Sequence, residues 1–321
     1  MMKTYLALST LLFPIMAYAN DGTGFVATGG VQYLKNPHIA MQTEDLYISR
    51  QQIRVHYQFK NLSQQDITET VLFPLPRVDD YREEVNFANT QQLINSFKIW
   101  VNGKAVKPKV HLRAFLYPVS KEGDQIDKPV DVTEALQRCG VSDTDFMNIW
   151  QQKDNMDSVR QKIVQCKAPK LRQVNPRLSL TNLFWATQIV YSWQQTFKAG
   201  EITEVKHQYT PLVGFTSFFD VNKNSEDDRT YCVDDGFRTK MQRSPKKDTL
   251  NYFALGYILT TGANWAKPIG KFTLTIDRKP DEFLFLCWDE SLRKIGPNRF
   301  QAVKYNFLPK RDLDIAFVQM W

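Results

Sequence analysis

The sequence predicts a mainly β protein: one or more β-sandwich-like units interrupted by a small α-helical insert. Two observations carry this reading. Short runs with an apolar residue at every second place, the period of a half-buried strand, recur early and late in the chain and are separated by turn residues. Between them lies a stretch of helix formers that contains two cysteines and lacks the alternation. The expected boundaries are a leader at 1–19, an N-terminal β section at 20–114, the insert at 115–177 and a C-terminal β section at 178–321.

In the first section Gln52 to Lys60 alternates cleanly, and Asn61 to Asp66 supplies turn residues. Ile67 to Phe73 resumes as a strand and is stopped by Pro74-Leu75-Pro76. Phe97 to Val101 runs into Asn102-Gly103, where both residues tolerate positive φ, so a tight hairpin is expected. Its returning strand is expected from Ala105 to Ala114. In the insert, Val132 to Cys139 reads as a helix stopped by Gly140, and Ser142 to Asp145 offers an N-cap for Phe146 to Trp150. Asp157 to Cys166 reads as a further helix with Val159, Ile163 and Val164 on one face. The last section holds expected strands at Thr187–Trp193, Ile202–Tyr209, Tyr252–Thr260, Lys271–Asp277, Glu282–Trp288 and Leu313–Trp321.

The start of the chain has the three-part grammar of a cleavable secretory signal: Lys3, an apolar run from Thr4 to Met16, and Ala17-Tyr18-Ala19. That run is shorter than the roughly 20 residues a spanning helix needs. The expected product is an exported protein, periplasmic or secreted, with no transmembrane anchor. Its four cysteines, Cys139, Cys166, Cys232 and Cys287, are an even number in an oxidising compartment and point to two disulfides. Cys139–Cys166 would clip a module too small to bury much core, and Cys232–Cys287 would tie an acidic loop to a late strand. No pair has a zinc-site spacing and the histidines are scattered, so no cofactor is expected. The formal charge of +7 favours anionic envelope components as partners, beside another envelope protein. Nucleic acid is a poor partner in that compartment.

Several blocks, taken together, resemble a bacterial exported family known only as domain of unknown function 4424. They are Asn20-Asp21-Gly22-Thr23-Gly24, Thr43 to Ser49 running into Val55 to Asn61, Leu72-Phe73-Pro74-Leu75-Pro76, Tyr191 to Gly200, His207 to Pro211, Tyr231 to Asp234, and Tyr257 to Trp265. The resemblance implies an envelope protein and supplies no activity.

Candidate sites come from patterning. Lys107, Lys109, His111 and Arg113 alternate along the strand expected after the hairpin, and Arg54, His56 and Lys60 alternate on an earlier one. If the two strands share a sheet, Lys107, Lys109, His111, Arg113, Arg54 and His56 form an anion-binding patch. Asp227, Asp228, Asp234 and Asp235 form an acidic loop that is a weak Ca²⁺ candidate, since its spacing departs from the EF-hand. Trp193 and Trp265, both near turns, are the aromatic residues to inspect for sugar stacking, and His207 reads as a hydrogen-bonded structural residue. The chain has no G-x-S-x-G, H-E-x-x-H or P-loop motif. The function expected is therefore non-catalytic binding or scaffolding at the envelope, with a hydrolase of envelope polymers as the alternative.

Overall fold

The structure, a computed structural model, describes residues 21–27, 30–77, 94–119, 129–148, 153–166, 168–176, 185–244 and 250–320. The expected leader, the end of the second insert helix at Ile149–Trp150, the opening of the C-terminal section at 178–184 and Trp321 lie outside the described residues.

The chain is mainly β. Its first strands are β1 (Gly22–Ala27), β2 (Gly30–Leu34), β3 (Ile39–Ile48), β4 (Ile53–Asn61), β5 (Ile67–Pro74), β6 (Lys98–Val101), β7 (Lys104–Val106), β8 (Lys109–Leu116) and β9 (Val130–Asp131). The insert supplies α1 (Thr133–Arg138), α2 (Asp143–Asn148), α3 (Lys153–Gln165) and α4 (Pro169–Val174). After it come β10 (Ala186–Phe197), β11 (Ile202–Tyr209), β12 (Gly214–Thr216), α5 (Glu226–Tyr231), α6 (Asp235–Gln242), β13 (Leu250–Tyr257), β14 (Ile269–Asp277), β15 (Glu282–Leu286), β16 (Arg293–Lys294), β17 (Arg299–Phe307) and β18 (Leu313–Met320).

Three sheets share this material. An eight-stranded sheet runs β16-β17-β14-β3-β4-β11-β6-β7, a six-stranded one β2-β1-β5-β10-β8-β9, and a four-stranded one β12-β13-β18-β15. One core joins them. Tyr57, Phe59, Val205, Phe272 and Leu274 of the largest sheet meet Phe73, Tyr191 and Trp193 of the second and Tyr257, Ile315 and Phe317 of the third. Strands from before and after the insert alternate within these sheets: β4 lies between β3 and β11, and β3 pairs in parallel with β14. The two β sections therefore build one shared sandwich and not two separate units. The far face of the four-stranded sheet is covered by α5 and α6 through Tyr231, Phe237 and Met241. The insert packs Leu136, Phe146, Val159 and Ile163 against Ala114, Leu116 and Trp185. Among these insert positions Val164 departs from expectation and is exposed.

Local chemistry explains the joints. Asn102 and Gly103 both adopt positive φ (47° and 77°), as the hairpin between β6 and β7 requires. The returning strand does not run unbroken to Ala114. Pro108 cannot donate to a ladder, and at Lys107-Pro108 the chain leaves the eight-stranded sheet as β7 and enters the six-stranded sheet as β8. Ser142 and Asp145 form a reciprocal cap at α2: the Asp145 amide donates to Ser142 Oγ (3.2 Å), and the Ser142 amide donates to Asp145 Oδ2 (2.8 Å). Disulfides join Cys139 to Cys166 across the insert, and Cys232 to Cys287 between the end of α5 and the residue after β15.

Candidate functional site

The eight-stranded sheet turns its apolar side chains into the core and its polar ones outward, because successive residues of a strand face opposite ways. On the outer face, Asp45, His56, Lys206 and Trp100 lie in one cross-strand row of β3, β4, β11 and β6. Thr275, Tyr47, Arg54, Gln208 and Lys98 form the next row. Asp45, Tyr47, Arg54, His56, Trp100, Lys206, Gln208 and Thr275 line an open groove of about 690 Å³.

Its polar groups are held at fixed places. The Arg54 guanidinium lies 4.1 Å from the centre of the Tyr47 ring, and Tyr47 Oη donates to Asp277 Oδ2 at 3.2 Å. Asp277 is in turn paired with Arg299 at 2.9 Å. His56 Nε2 stands 3.6 Å from Glu204 Oε2. The hairpin tip is tied to β11 by Asn102 Oδ1, which accepts from the Glu204 amide at 2.8 Å, so Trp100 sits on an anchored strand. Among the described residues neither Arg54 nor Lys206 has a carboxylate partner.

The six basic candidates are split by the turn at Pro108. Arg54 and His56 stand together in the groove. Lys109, His111 and Arg113 belong to the six-stranded sheet, and Lys107 lies between the two sheets. The single patch that sharing a sheet would create is therefore not formed. Arg113 is buried and paired with Asp131, Nη2 to Oδ2 at 2.8 Å. His111 Nε2 hydrogen-bonds with Ser192 Oγ at 2.7 Å, and partial burial, then the Arg113 and Lys109 charges, lower its pKa.

The acidic stretch is two capped helices, not a loop. Asp234 accepts from the Phe237 amide (2.7 Å) at the start of α6. Asp227 accepts from the Asp220 amide (2.7 Å) and from Tyr252 Oη (3.1 Å). Asp228 and Asp235 both meet Arg238, at 2.8 and 3.3 Å. Among the described residues no three His, Cys, Asp or Glu side chains converge in a way that could hold a metal ion.

Trp193 and Trp265, the rings to inspect for sugar stacking, are both buried. Trp265 lies 4.6 Å from Phe59, ring centre to ring centre, and its Nε1 donates to the Asp21 carbonyl at 2.8 Å. His207 alternates inward from β11, beneath the groove floor, among the rings of Tyr57, Phe73, Phe97 and Trp193. Among the described residues neither ring nitrogen has a hydrogen-bond partner, contrary to expectation; Nε2 stands 3.6 Å from Asp21 Oδ2. Burial lowers the His207 pKa to about 3. Burial, then the Glu44 charge, raises that of Asp21. Asp21, Glu44 and His207 would make an acid–base set by composition, but all three are buried.

Tyr47, Trp100 and Lys206 were not singled out by sequence patterning. Their signal is the same alternation that identified Arg54 and His56, read on the partner strands, and it needs the strand order to be useful.

The model of the family described as "Domain of unknown function (DUF4424)" matches residues 19–316. No curated protein matches the chain. Among solved structures, a "putative nutrient binding protein" from Legionella pneumophila is 17% identical, with a TM-score of 0.44, over 94% of this chain and 70% of that one. A Deinococcus radiodurans M1 zinc metallopeptidase is 9% identical, with a TM-score of 0.28, over 89% of this chain and 44% of that one. The chain thus spans less than half of the metallopeptidase.

Proposed function

We propose that this chain, which belongs to the DUF4424 family over nearly its whole length, is a non-catalytic binding module of the bacterial envelope and that the groove on the eight-stranded sheet is its ligand site. The observation that carries the reading is the pair Arg54 and Lys206. They are neighbouring cations on adjacent strands, both exposed and, among the described residues, both without a carboxylate partner, in a groove floored by sheet. Ligand sites built on strands hold their groups more firmly than loops do. The ligand is an anionic envelope component, attracted by these two charges.

Export is part of the proposal. The leader grammar supports it, and so do two disulfides, which persist in oxidising compartments. No helix among the described residues is long and apolar enough to cross a membrane.

The test is retention on envelope fractions at low and high salt. Arg54→Glu with Lys206→Glu is expected to abolish the low-salt retention, while Lys109→Glu on the other sheet leaves it intact. Equal retention of both variants overturns the groove as the site.

A further inference from the structure

Resting on that reading of the groove, we infer that its ligand is an acidic sugar: a pyranose ring stacked on Trp100 with its carboxylate or phosphate held between Arg54 and Lys206.

Three observations narrow the ligand. The first is Trp100. Trp185, Trp193 and Trp265 are buried, and Trp288 is covered by Phe272, Phe307 and the Lys304 ammonium, which sits 4.3 Å from its ring centre. Among the described residues no ring or cation lies against Trp100, which in this differs from the other described tryptophans, and it is partly exposed in the groove wall. An aromatic ring set so in a polar groove offers a flat apolar face to something that is itself apolar on one face and polar at its rim. A pyranose is such a body.

The second is the order of groups. Lys206 stands opposite Trp100 across one strand pair, and opposite His56 across the other. Arg54 is therefore the diagonal neighbour of Lys206, about 7 Å away between the strands. The line Arg54, Lys206, Trp100 reads cation, cation, stacking ring. Stacking on Tyr47 holds the Arg54 guanidinium in place, and its planar fork can meet a carboxylate or phosphate with two parallel hydrogen bonds. Gln208 and Thr275 along the adjoining row, with Asp45 beyond His56, supply the mixed donors and acceptors that hydroxyls need.

The third is the charge count. Among the groove's lining residues two cations, Arg54 and Lys206, stand against one carboxylate, Asp45. That suits one anionic group per bound sugar, not the row of phosphates that a nucleic acid brings. At about 690 Å³ the groove lies within the usual range for a small ligand.

The experiment titrates the intact disulfide-bonded protein with trigalacturonate, maltotriose, a hexose phosphate and inorganic phosphate, read by calorimetry. The acidic trisaccharide is expected to bind at least tenfold more tightly than maltotriose or inorganic phosphate, and the hexose phosphate arm decides which anion is preferred. Arg54→Met and Trp100→Ala should each weaken binding tenfold or more, while Trp100→Phe stays within a few-fold; unchanged melting temperatures show that the variants fold. Inorganic phosphate binding as tightly as the sugar acids, with Trp100→Ala indifferent, overturns the sugar and leaves the anion groove standing. Equal binding of maltotriose, with Arg54→Met indifferent, overturns the acid. If no probe binds while Arg54→Glu with Lys206→Glu still loses envelope retention, the acidic sugar falls and the groove survives. If no probe binds and that retention is also unchanged, both fall.

Discussion

His207 Nε2 and Asp21 Oδ2 face each other at 3.6 Å with both side chains wholly buried. Burial disfavours both charges, lowering the His207 pKa to about 3 and, with the Glu44 charge, raising that of Asp21. The two groups then act on stability in opposite senses. Below pH about 6.5 the unfolded chain protonates this histidine and the fold does not, so its contribution falls by about 1.4 kcal/mol per pH unit as the solution is acidified towards pH 3. His207→Phe keeps a ring in the box and removes both nitrogens. Its unfolding free energy should lose that slope between pH 6.5 and 4. An unchanged slope in urea titrations would show that His207 is not held neutral. Asp21 stabilises below its ordinary pKa of 3.8 and loses that contribution as pH rises through its raised folded value, so Asp21→Asn should gain on the wild type as pH rises above about 4.

Arg113 carries a prediction that separates structure from binding. Its guanidinium and the Asp131 carboxylate are each about nine-tenths buried. Removing one partner strands the other charge, at a cost of about 3–5 kcal/mol. Arg113→Ala should therefore lower the unfolding free energy by about that much in guanidinium titrations. Because Arg113 lies on the six-stranded sheet, ligand retention by the folded fraction should not change. A variant with native stability and lost retention would return Arg113 to the binding surface.

Much of the sandwich was legible where burial is one-sided. β4 and β11 alternate almost residue by residue, and the Asn-Gly hairpin announces itself. β17 was not foreseen. Its inner face includes Lys304, nearly buried over Trp288 and paired with Asp289, so the apolar alternation is broken where the strand needs it most. The pairing of β3 with β14 joins segments more than two hundred residues apart, and nothing in either segment names its partner. The groove suffers from the same blindness. Arg54 was visible as a cation on a strand, but Lys206 and Trp100 become its neighbours only once β11 is placed between β4 and β6. Trp193 and Trp265 show the converse: standing near a turn says nothing about which way a ring faces.

The two disulfides divide the stability between modules. Cys139–Cys166 closes 27 residues and Cys232–Cys287 closes 55, so loop-closure entropy alone assigns them about 3.5 and about 4 kcal/mol. The first bridge lies within the insert and the second ties α5 to the four-stranded sheet. The double variant Cys139→Ser with Cys166→Ser should expose the insert to limited proteolysis while the sandwich still unfolds cooperatively. The double variant Cys232→Ser with Cys287→Ser should shift the main transition. If the insert variant lowers the main transition by as much, the insert is not a separable unit.

Gly270 offers the sharpest test of the parallel pairing. A Cβ built there would lie 2.5 Å from the carbonyl oxygen of Gln42, which stands at the irregularity of β3 between Met41 and Thr43. The obstructing atom is main chain, so neither a rotamer change nor a small side-chain shift can relieve it. Gly270→Ala must therefore push β14 off β3 at the start of their ladder, at a cost of about 1–3 kcal/mol, typical of overpacking. Gly296→Ala is the matched control: its nearest neighbour, the Arg299 Cβ at 3.5 Å, is in ordinary contact, so the melting temperature should hardly move. A Gly270→Ala protein as stable as the control would mean that β3 and β14 do not approach this closely in solution. The strand order that brings Arg54 beside Lys206 would be less affected, because β4 and β11 pair on the other side of β3.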